Sequence, residues 1–390
     1  MLSRVRLLAA CPTFEGVRGD ERVIDRVRSA AETVAAHAGE VDAERRFPEA
    51  GIGALAEAGG LGLVVSAEHG GAGGGLGALA AACEAVGQAC GSTALVFLMH
   101  NVAAATLQAG GGAPASEQLR AMAAGDALGT LAFSERGTGA HFYAPELEGS
   151  RSNGTVRVDG RKSFVTSAGY ARVYLVLLAG DEGTSDCYAV QVDDPGVSFD
   201  GSWTGLGMAG NGSVAMVFDG VELDDSRRVG ELGGGAGLVF DVVAPFFLVG
   251  LAAANVGIAA AAAATATEHA ARPRYSDGSP LAEVQHVQHH LADMDTRVRA
   301  ARLLVQEAAR LGDAADPAAL VAIMEAKVGA TDAAIDVARD AMEVCGGQAY
   351  ARALPVERNL RDALAGTVMA PTNAVLRSWI GKALAGLPVP

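Results

Sequence analysis

The chain has 390 residues, of which 50% are hydrophobic and 19% are charged, and its formal net charge is −15 at pH 7. That length is enough for about two or three packed domains with a large core, and the acidic balance argues against non-specific nucleic-acid binding, which needs a basic surface. Five scattered cysteines without Cys-x-x-Cys spacing argue against a disulfide framework and favour a reducing compartment.

The first third of the chain has helical periodicity. From about Glu21 to Gly125, apolar residues recur three and four positions apart between glycine-rich breaks. This pattern predicts an N-terminal α-helical domain over residues 1–125. The break from His69 to Leu76 is rich in glycine, but no Walker lysine follows it, so a helix–helix connection is favoured over a phosphate loop.

Residues 126–230 change to short runs of β-forming residues separated by turns. Asn153-Gly154 and Asp159-Gly160 supply turn chemistry. Strands at this spacing predict a small β-barrel or paired sheets. The predicted strands are Leu128–Phe133, Thr155–Val158, Val173–Leu178, Tyr188–Val192 and Val214–Phe218.

Residues 231–390 return to helical patterns. The stretch from Gly250 to Ala266 is apolar, but it is rich in alanine and contains polar residues, so it predicts a buried helix and no membrane span. From Leu281 to Leu311, apolar residues alternate at three and four positions, which predicts a helix of a C-terminal four-helix bundle. The fold class is therefore α+β, with helices on either side of a central β-domain.

Two further features have ordinary interpretations. His286 and His290, four residues apart, could share a metal ion, but no third ligand is fixed nearby in the sequence, so we expect a solvated face and no metal. The N-terminus has Arg4, Arg6 and a short apolar run, which is too short for a secretion signal. We expect a cytoplasmic protein.

Three stretches carry residues suited to binding a flat, phosphorylated cofactor. In an extended chain Phe164 and Thr166 share a face, so an aromatic ring and a hydroxyl could meet the ring system together. The loop from Leu131 to Ala140 contains Ser134 and Gly137-x-Gly139, whose amides suit a pyrophosphate. Arg274 and Gln285, and the glycine pair after Cys345, could also approach a ligand.

With these features taken in chain order, the sequence resembles the acyl-CoA dehydrogenase flavoprotein family over nearly its whole length, from about Ile24 to Gly386. The resemblance rests on motifs spread through all three predicted domains. These motifs are Phe133-Ser-Glu135 with Gly137-x-Gly139, Gly160-x-Lys-x-Phe-x-Thr166, Trp203 to Met208, Arg274 to Gln285, Val344-Cys-Gly-Gly347, Pro355-Val-Glu-Arg358 and Arg361-Asp-Ala363.

The resemblance implies that the chain binds FAD between the β-domain and the helices of a homodimer or homotetramer. Phe164 takes the place of the family's flavin-stacking tryptophan, and Arg274, Gln285, Gly346 and Gly347 would reach FAD across the subunit interface. The implied cofactor-binding residues are Leu131, Phe133, Ser134, Gly139, Phe164, Thr166, Arg274, Gln285, Gly346, Gly347 and Thr372. Asp277, Glu343 and Ala140 depart from the family's usual aromatic, glutamine and serine.

The departure with the largest consequence concerns the catalytic base. Most members carry a glutamate where this sequence has Ala370, and others carry it on the first bundle helix, where this sequence has Phe247 followed by Leu248 in place of an arginine. Neither alanine nor phenylalanine can accept the proton next to a thioester carbonyl. The expected substrate-side residues are Ala140, Phe247, Leu248 and Ala370, and the catalytic base stays unknown, with His100, Glu135 and Tyr350 as further candidates.

Three functions remain open. The first is an FAD-dependent dehydrogenase of a short acyl thioester, on CoA or an acyl carrier protein, with the acidic proton at a vinylogous γ position, as in specialised members of secondary metabolism such as polyketide biosynthesis. The second is a flavin monooxygenase or N-hydroxylase of the same fold, and the third is a non-catalytic FAD-binding subunit. An electron-transfer flavoprotein is the expected acceptor for the first, and a patch of Arg272, Arg274 and Lys162 could meet an acidic carrier protein.

Overall fold

A computed structural model describes residues 21–272, 276 and 278–389. The N-terminal part is helical. In α1, valine, isoleucine and alanine side chains three and four positions apart are buried, and the charged residues between them face outward. The helices are α1 (Glu21–Ala43), α2 (Glu49–Glu57), α3 (Leu76–Ala89), α4 (Gly91–Gly110) and α5 (Ala113–Ala124).

The glycine-rich connection before α3 is fixed by its own backbone. The amides of Ala72, Gly73 and Gly74 donate to carbonyl oxygens of residues 62–65 at 2.7–2.9 Å. The Asp313 carboxylate then accepts from the first amides of α3, at 2.7 Å from Leu76 N. These amides are therefore occupied within the protein, which supports the predicted helix–helix connection over a phosphate loop.

The central part consists of two four-stranded sheets, in the orders β1-β4-β5-β8 and β2-β3-β7-β6. Among the paired strands of the described residues, β1 and β4 run parallel and the other pairs are antiparallel. The strands are β1 (Gly129–Ala132), β2 (Gly149–Ser152), β3 (Thr155–Val165), β4 (Val173–Ala179), β5 (Ser185–Gln191), β6 (Val197–Asp200), β7 (Val214–Asp224) and β8 (Arg228–Val229).

The two sheets pack on a shared apolar cluster that includes Tyr174 and Tyr188 from one sheet and Met216 and Phe218 from the other. This is the paired-sheet form of the predicted β-domain. All five predicted strands are present, with β3 and β7 extending well beyond their predicted ends. The sequence analysis did not predict β2, β6 and β8, because they are only four, four and two residues long.

One predicted turn is wrong. Asn153-Gly154 does form the turn between β2 and β3, but Asp159-Gly160 lies inside β3 as an irregularity in its pairing with β7. Gly160 has φ of +146° there, a conformation that side-chain-bearing residues rarely adopt. A second irregularity between Lys162 and Val165 gives Phe164 a φ of +54°. The simple alternation used to place Phe164 and Thr166 on one face therefore does not hold at this end of β3.

The C-terminal part contains the long helices of the predicted bundle, in which α7, α8, α9 and α10 pack on one another and α11 packs on α9. A short helix, α6, and a π-helical turn at Val239–Val243 lead into it. The helices are α6 (Gly235–Leu238), α7 (Ala244–Ala271), α8 (Gln285–Asp313), α9 (Ala319–Tyr350), α10 (Val356–Val368) and α11 (Asn373–Leu384). The predicted domain limits fall between α5 and β1 and after β8, and they stay predictions.

The predicted buried helix is α7. By length and composition it could cross a membrane, but every residue from Leu248 to Ala260 is buried within the protein. Its close contact with α3 depends on glycine, because a Cβ added at Gly87 would lie 2.4 Å from the Ala254 carbonyl oxygen. A Cβ at Gly257 would lie 2.2 Å from the Glu84 carbonyl oxygen. The small residues of α3 and α7 thus join the N- and C-terminal helices into one core.

Candidate active site

A cavity of about 540 Å³ lies where the three parts of the chain meet. The strand β1 and the loop after it form one wall, and the end of β3 and the loop from Trp203 to Ser213 form another. Side chains of α4, the start of α7 and the end of α10 close the remainder. The lining residues are Leu95, Met99, Leu131, Phe133, Ser134, Glu135, Arg136, Gly139, Phe142, Ser163, Phe164, Thr166, Trp203, Met208, Asn211, Ser213, Val243, Phe247, Ala365, Val368, Met369 and Ala370.

Phe164 is 66% exposed although it lines the concave wall of the cavity. The indole of Trp203 meets it edge to face, with the ring centroids 6.4 Å apart. Thr166, also in the wall, shares a 3.1 Å hydrogen bond with Ser213. Phe164 and Thr166 thus come together at the cavity as predicted, but through the irregular end of β3.

The loop after β1 is fixed by a buried ion pair. The Lys162 ammonium, fully buried, donates to the Glu135 carboxylate. That carboxylate also accepts from the amides of Glu146 and Leu147, at 2.9 and 3.1 Å. Burial lowers the pKa of Lys162, while the contact with Glu135 opposes that shift. The Ser163 amide donates to the Ser134 carbonyl at 2.8 Å, so the hydroxyl of Ser134 is presented to the cavity on a rigid segment.

The Trp203–Met208 motif is held against the helices by a buried carboxylate. Asp362 accepts from the Met208 amide at 2.6 Å. A Cβ added at Gly91, the first residue of α4, would lie 2.7 Å from Asp362 Oδ2, so glycine is needed for this approach. Burial raises the pKa of Asp362 to about 6. The Arg-Asp-Ala motif therefore supports the cavity through its aspartate.

The remaining wall is apolar at both positions where the resemblance implies a catalytic base. Ala370 and Phe247 both line the cavity, together with Val243, Val368 and Met369. The Ala370 amide has no hydrogen-bond partner among the residues that the structure describes. This wall therefore offers a free N–H donor and no acceptor for a proton.

A buried lysine holds the segment that carries Ala370. Lys327 of α9, fully buried, donates to Asn373 Oδ1 at 2.8 Å, to the Pro371 carbonyl at 3.1 Å and to the Met369 carbonyl at 3.4 Å. Burial lowers the pKa of this amine to about 7. Three acceptors on both sides of Ala370 fix the direction of its backbone.

Several predicted site residues lie elsewhere. Leu248 is 3% exposed and packs in the core, because on α7 it points away from Phe247. Ala140 follows the lining residue Gly139 but does not line the cavity. Thr372 caps α11 by accepting from the Val375 amide at 3.3 Å, so its hydroxyl serves the helix.

The residues predicted to reach FAD across the subunit interface are outside the cavity of this subunit. Gln285 is the exposed first residue of α8, and Gly346 and Gly347 are exposed near the end of α9. Gly346 has φ of +53°, which interrupts the helical geometry and requires glycine. Their role toward a partner subunit stays a prediction, and Arg274 and Asp277 lie outside the described residues.

The geometry does not support the three further base candidates. Both ring nitrogens of His100 are engaged, by the Leu61 carbonyl at 2.9 Å and the Gly129 amide at 3.0 Å, and burial lowers its pKa to about 4. Tyr350 is 87% exposed on the surface. Glu135 lines the cavity, but its carboxylate is occupied by Lys162 and two amides.

Lys162 also cannot belong to a surface patch for a carrier protein, as the sequence had suggested, because it is fully buried. Arg272 is exposed and pairs with Glu268. No cation patch built on Lys162 therefore exists in the described part of the chain.

The residues of the cavity fit a flavin ring. Phe164 presents an aromatic face to a concave wall, and hydroxyls and an amide lie beside it, on Ser134, Thr166, Ser213 and Asn211. Such a wall suits a flat ring with an apolar face and a polar edge. When bound there, FAD supplies the hydride acceptor.

Sequence reasoning missed several residues that build this site. Asn211 and Ser213 belong to the loop between β6 and β7, and nothing in their spacing links them to Phe164. Trp203 was part of a motif, but its contact with Phe164 was not predicted. Lys327 was not predicted as a site residue, because it lies within the alanine-rich helix α9. A lysine on the apolar face of α9 was the available signal, because a lysine is rarely buried without partners.

Comparisons with known proteins agree with this geometry. Three family models match in order: the acyl-CoA dehydrogenase N-terminal domain over residues 20–126, the middle domain over 130–221 and the C-terminal domain over 249–385. The cyclohex-1-ene-1-carbonyl-CoA dehydrogenase of Geobacter metallireducens is 31% identical, with 93% of this chain and 96% of that protein covered.

Solved structures show the same fold. Butyryl-CoA dehydrogenase from Megasphaera elsdenii superposes with a TM-score of 0.88 and 26% identity, covering 94% of this chain and 97% of that one. FkbI, described as serving biosynthesis of the methoxymalonyl extender unit of the polyketide FK520, has a TM-score of 0.83 and 26% identity, covering 93% and 100%. This chain therefore belongs to the acyl-CoA dehydrogenase family, as an FAD-dependent oxidoreductase that acts on the CH–CH groups of acyl thioesters.

Proposed function

We propose that this protein desaturates a short acyl thioester beyond its α and β carbons, by γ,δ-desaturation of a 2-enoyl thioester bound to CoA or to an acyl carrier protein. One observation carries the proposal. Both positions that supply a base in the family, Ala370 and Phe247, line the cavity as apolar side chains. A reaction that starts by removing the α proton would need a carboxylate at one of them.

The proposed reaction removes two hydrogens from a 2-enoyl chain. The γ carbon would lose a proton to solvent and the δ carbon would lose a hydride, which FAD would accept when bound. The electron pair of the broken γ C–H bond would then form the new double bond between the γ and δ carbons. The γ proton is acidic because the charge that it leaves extends through the existing double bond to the carbonyl oxygen.

The chain contributes polarisation of that carbonyl. The free Ala370 amide points from a segment that Lys327 holds on both sides. A fixed backbone donor stabilises the charge that develops on a thioester oxygen, and it needs no side chain. The loss of the glutamate therefore leaves this part of the site intact.

The proposed substrate is short because the cavity is limited. Its volume of about 540 Å³ must hold both the flavin ring and the acyl end. Leu95 and Met99 from α4, together with Phe142, supply apolar side chains to the lining. These side chains also favour a hydrocarbon chain over a charged one.

The relatives support the proposed partners. The similarity to FkbI, whose structure is described as serving biosynthesis of a polyketide extender unit, favours a role in secondary metabolism. A structure described as an electron-transferring flavoprotein study of Acidaminococcus fermentans is 25% identical with a TM-score of 0.88, which favours such a flavoprotein as electron acceptor. We also propose a homodimer or homotetramer, since Gln285, Gly346 and Gly347 are exposed on this subunit.

Anaerobic titration of the FAD-loaded protein with saturated and 2-enoyl thioesters, each on CoA and on a carrier protein, tests the proposal. We expect a 2-enoyl thioester to bleach the flavin absorbance and to yield a 2,4-dienoyl product by mass spectrometry. Bleaching by saturated thioesters alone would contradict it. If no thioester bleaches the flavin and the reduced protein forms a persistent oxygen adduct, the monooxygenase alternative replaces it.

A further inference from the structure

A series of hydrogen bonds runs from the surface of the C-terminal helices to the segment that carries Ala370. At its inner end, the buried ammonium of Lys327 donates to Asn373 Oδ1 at 2.8 Å and to the backbone carbonyls on both sides of Ala370. At its outer end, Asp332 of α9 accepts from Asn373 Nδ2 at 2.9 Å and pairs with Arg377 of α11. A half-buried carboxylate is therefore linked to the wall of the cavity.

We propose that Asp332 is a positioning residue for the reaction, an inference that rests on the proposed role of the Ala370 amide. Asp332 does not line the cavity, and it acts on the thioester carbonyl through Asn373 and Lys327. Its carboxylate fixes the direction of the Asn373 side-chain amide. That direction decides whether Lys327 can hold the segment on both sides of Ala370.

The hydrogen bonds of Asn373 favour one direction of its side-chain amide. Its Nδ2 group has two donors, which are taken by Asp332 Oδ1 and Thr331 Oγ1, each at 2.9 Å. The Thr331 hydroxyl can accept there, because it donates its own proton to the Lys327 carbonyl at 2.8 Å. Asn373 Oδ1 is therefore left facing the ammonium. Without Asp332, the amide is free to turn a donor toward Lys327, which then loses its shortest hydrogen bond.

The charge of Asp332 also favours the protonated form of Lys327. An ammonium has three donors, and the three acceptors around Lys327 use all of them, whereas a neutral amine has only two. Burial lowers the pKa of Lys327 to about 7; the Asp332 carboxylate opposes that shift, and the Arg377 guanidinium adds to it. From α10 and α7, which also pack on α9, the neutral residues Gly366 and Asn255 lie beside this network.

Anaerobic stopped-flow bleaching of the FAD-loaded protein tests the proposal, at saturating concentrations of the thioester that reduces the unaltered protein. Asp332→Ala removes the acceptor and the charge. It should slow bleaching about 10-fold or more, the size of one hydrogen bond to a charged group, with little change in the thioester concentration that gives half the maximal rate. The rate of the unaltered protein should fall as pH rises through about 7. Asp332→Asn keeps an acceptor without the charge, so its rate should fall at a lower pH.

Asp336→Ala is the matched control, because Asp336 is an exposed aspartate one turn further along α9 and pairs with Arg339 outside the network. It should match the unaltered protein in rate and in pH profile. Tm and flavin absorbance report whether each variant is folded and loaded with FAD. Equal bleaching rates for folded Asp332→Ala and Asp336→Ala would overturn the proposal.

Infrared difference spectra of a bound thioester with an isotope-labelled carbonyl separate this proposal from the proposed reaction. A hydrogen bond from the Ala370 amide polarises the carbonyl and lowers its stretching frequency on binding, whether or not the thioester is desaturated. The lowering should be smaller in Asp332→Ala than in Asp336→Ala, even if saturated thioesters, or none, bleach the flavin. Equal frequencies in the two variants, or no lowering in the unaltered protein, would contradict the role of Asp332.

Discussion

Restoring a carboxylate at position 370 should give this protein an activity that its cavity now excludes. The change is Ala370→Glu. Ala370 lines the cavity beside Phe247, Val368 and Met369, so a glutamate side chain there enters the space where the acyl end is proposed to bind. We expect the variant to oxidise a saturated short-chain thioester, because the new carboxylate can remove the α proton.

The magnitude follows from the surroundings of the new group. Positioned general bases contribute about 10²- to 10⁴-fold in rate. The neighbours of position 370 in the cavity are apolar, so burial should raise the pKa of the new carboxyl from about 4.3 to between about 5.3 and 6.3. Holding it ionised at pH 7 then costs about 1.4 to 2.7 kcal/mol of unfolding free energy.

The assay is stopped-flow bleaching of the flavin with butyryl-CoA under anaerobic conditions. The rate for Ala370→Glu should rise with pH through about 6, as the carboxylate ionises, and the unaltered protein should show no comparable phase. Ala370→Gln fills the same volume without a base and is the control. If folded, FAD-loaded Ala370→Glu bleaches no faster than Ala370→Gln, Ala370 does not occupy the base position and the reasoning fails.

Three other changes test the supports of the cavity. Phe164→Ala should weaken FAD binding by about 2- to 12-fold, because an aromatic contact of about 0.5 to 1.5 kcal/mol is lost. The Tm should change little, because Phe164 is 66% exposed. FAD fluorescence on rebinding measures the affinity, and an unchanged affinity would show that the flavin ring does not contact Phe164. Asp362 has its pKa raised by burial from 3.8 to about 6, so the folded state holds more protons than the unfolded state between these values and stability falls as pH rises through them. Urea unfolding should therefore show Asp362→Asn gaining up to about 3 kcal/mol on the unaltered protein between pH 4 and 6, and parallel pH profiles would refute this. Lys327→Met should slow the bleaching of the flavin by substrate at least about 10-fold without loss of FAD, because the segment that carries Ala370 loses three hydrogen bonds. Equal bleaching rates would show that Lys327 does not position this segment.

The sequence determined the order of helices, strands and helices, because that order is written in local periodicity. The spacing of apolar residues in α1 and α8 predicts their buried faces, and the alanine-rich composition of α7 predicts a core helix. The sequence motifs also identified residues that line the cavity. These residues are Phe133, Ser134, Phe164, Phe247 and Ala370.

The tertiary structure alone decided which residues meet across the chain. Spacing along the chain cannot specify contacts between distant segments. Such contacts join Trp203 to Phe164, Lys327 to the residues on both sides of Ala370, and Glu343 to His290 of α8. Burial likewise separated structural from chemical groups. Glu135 and His100 had the right chemistry for a base, but only the packed fold shows that their partners already occupy them.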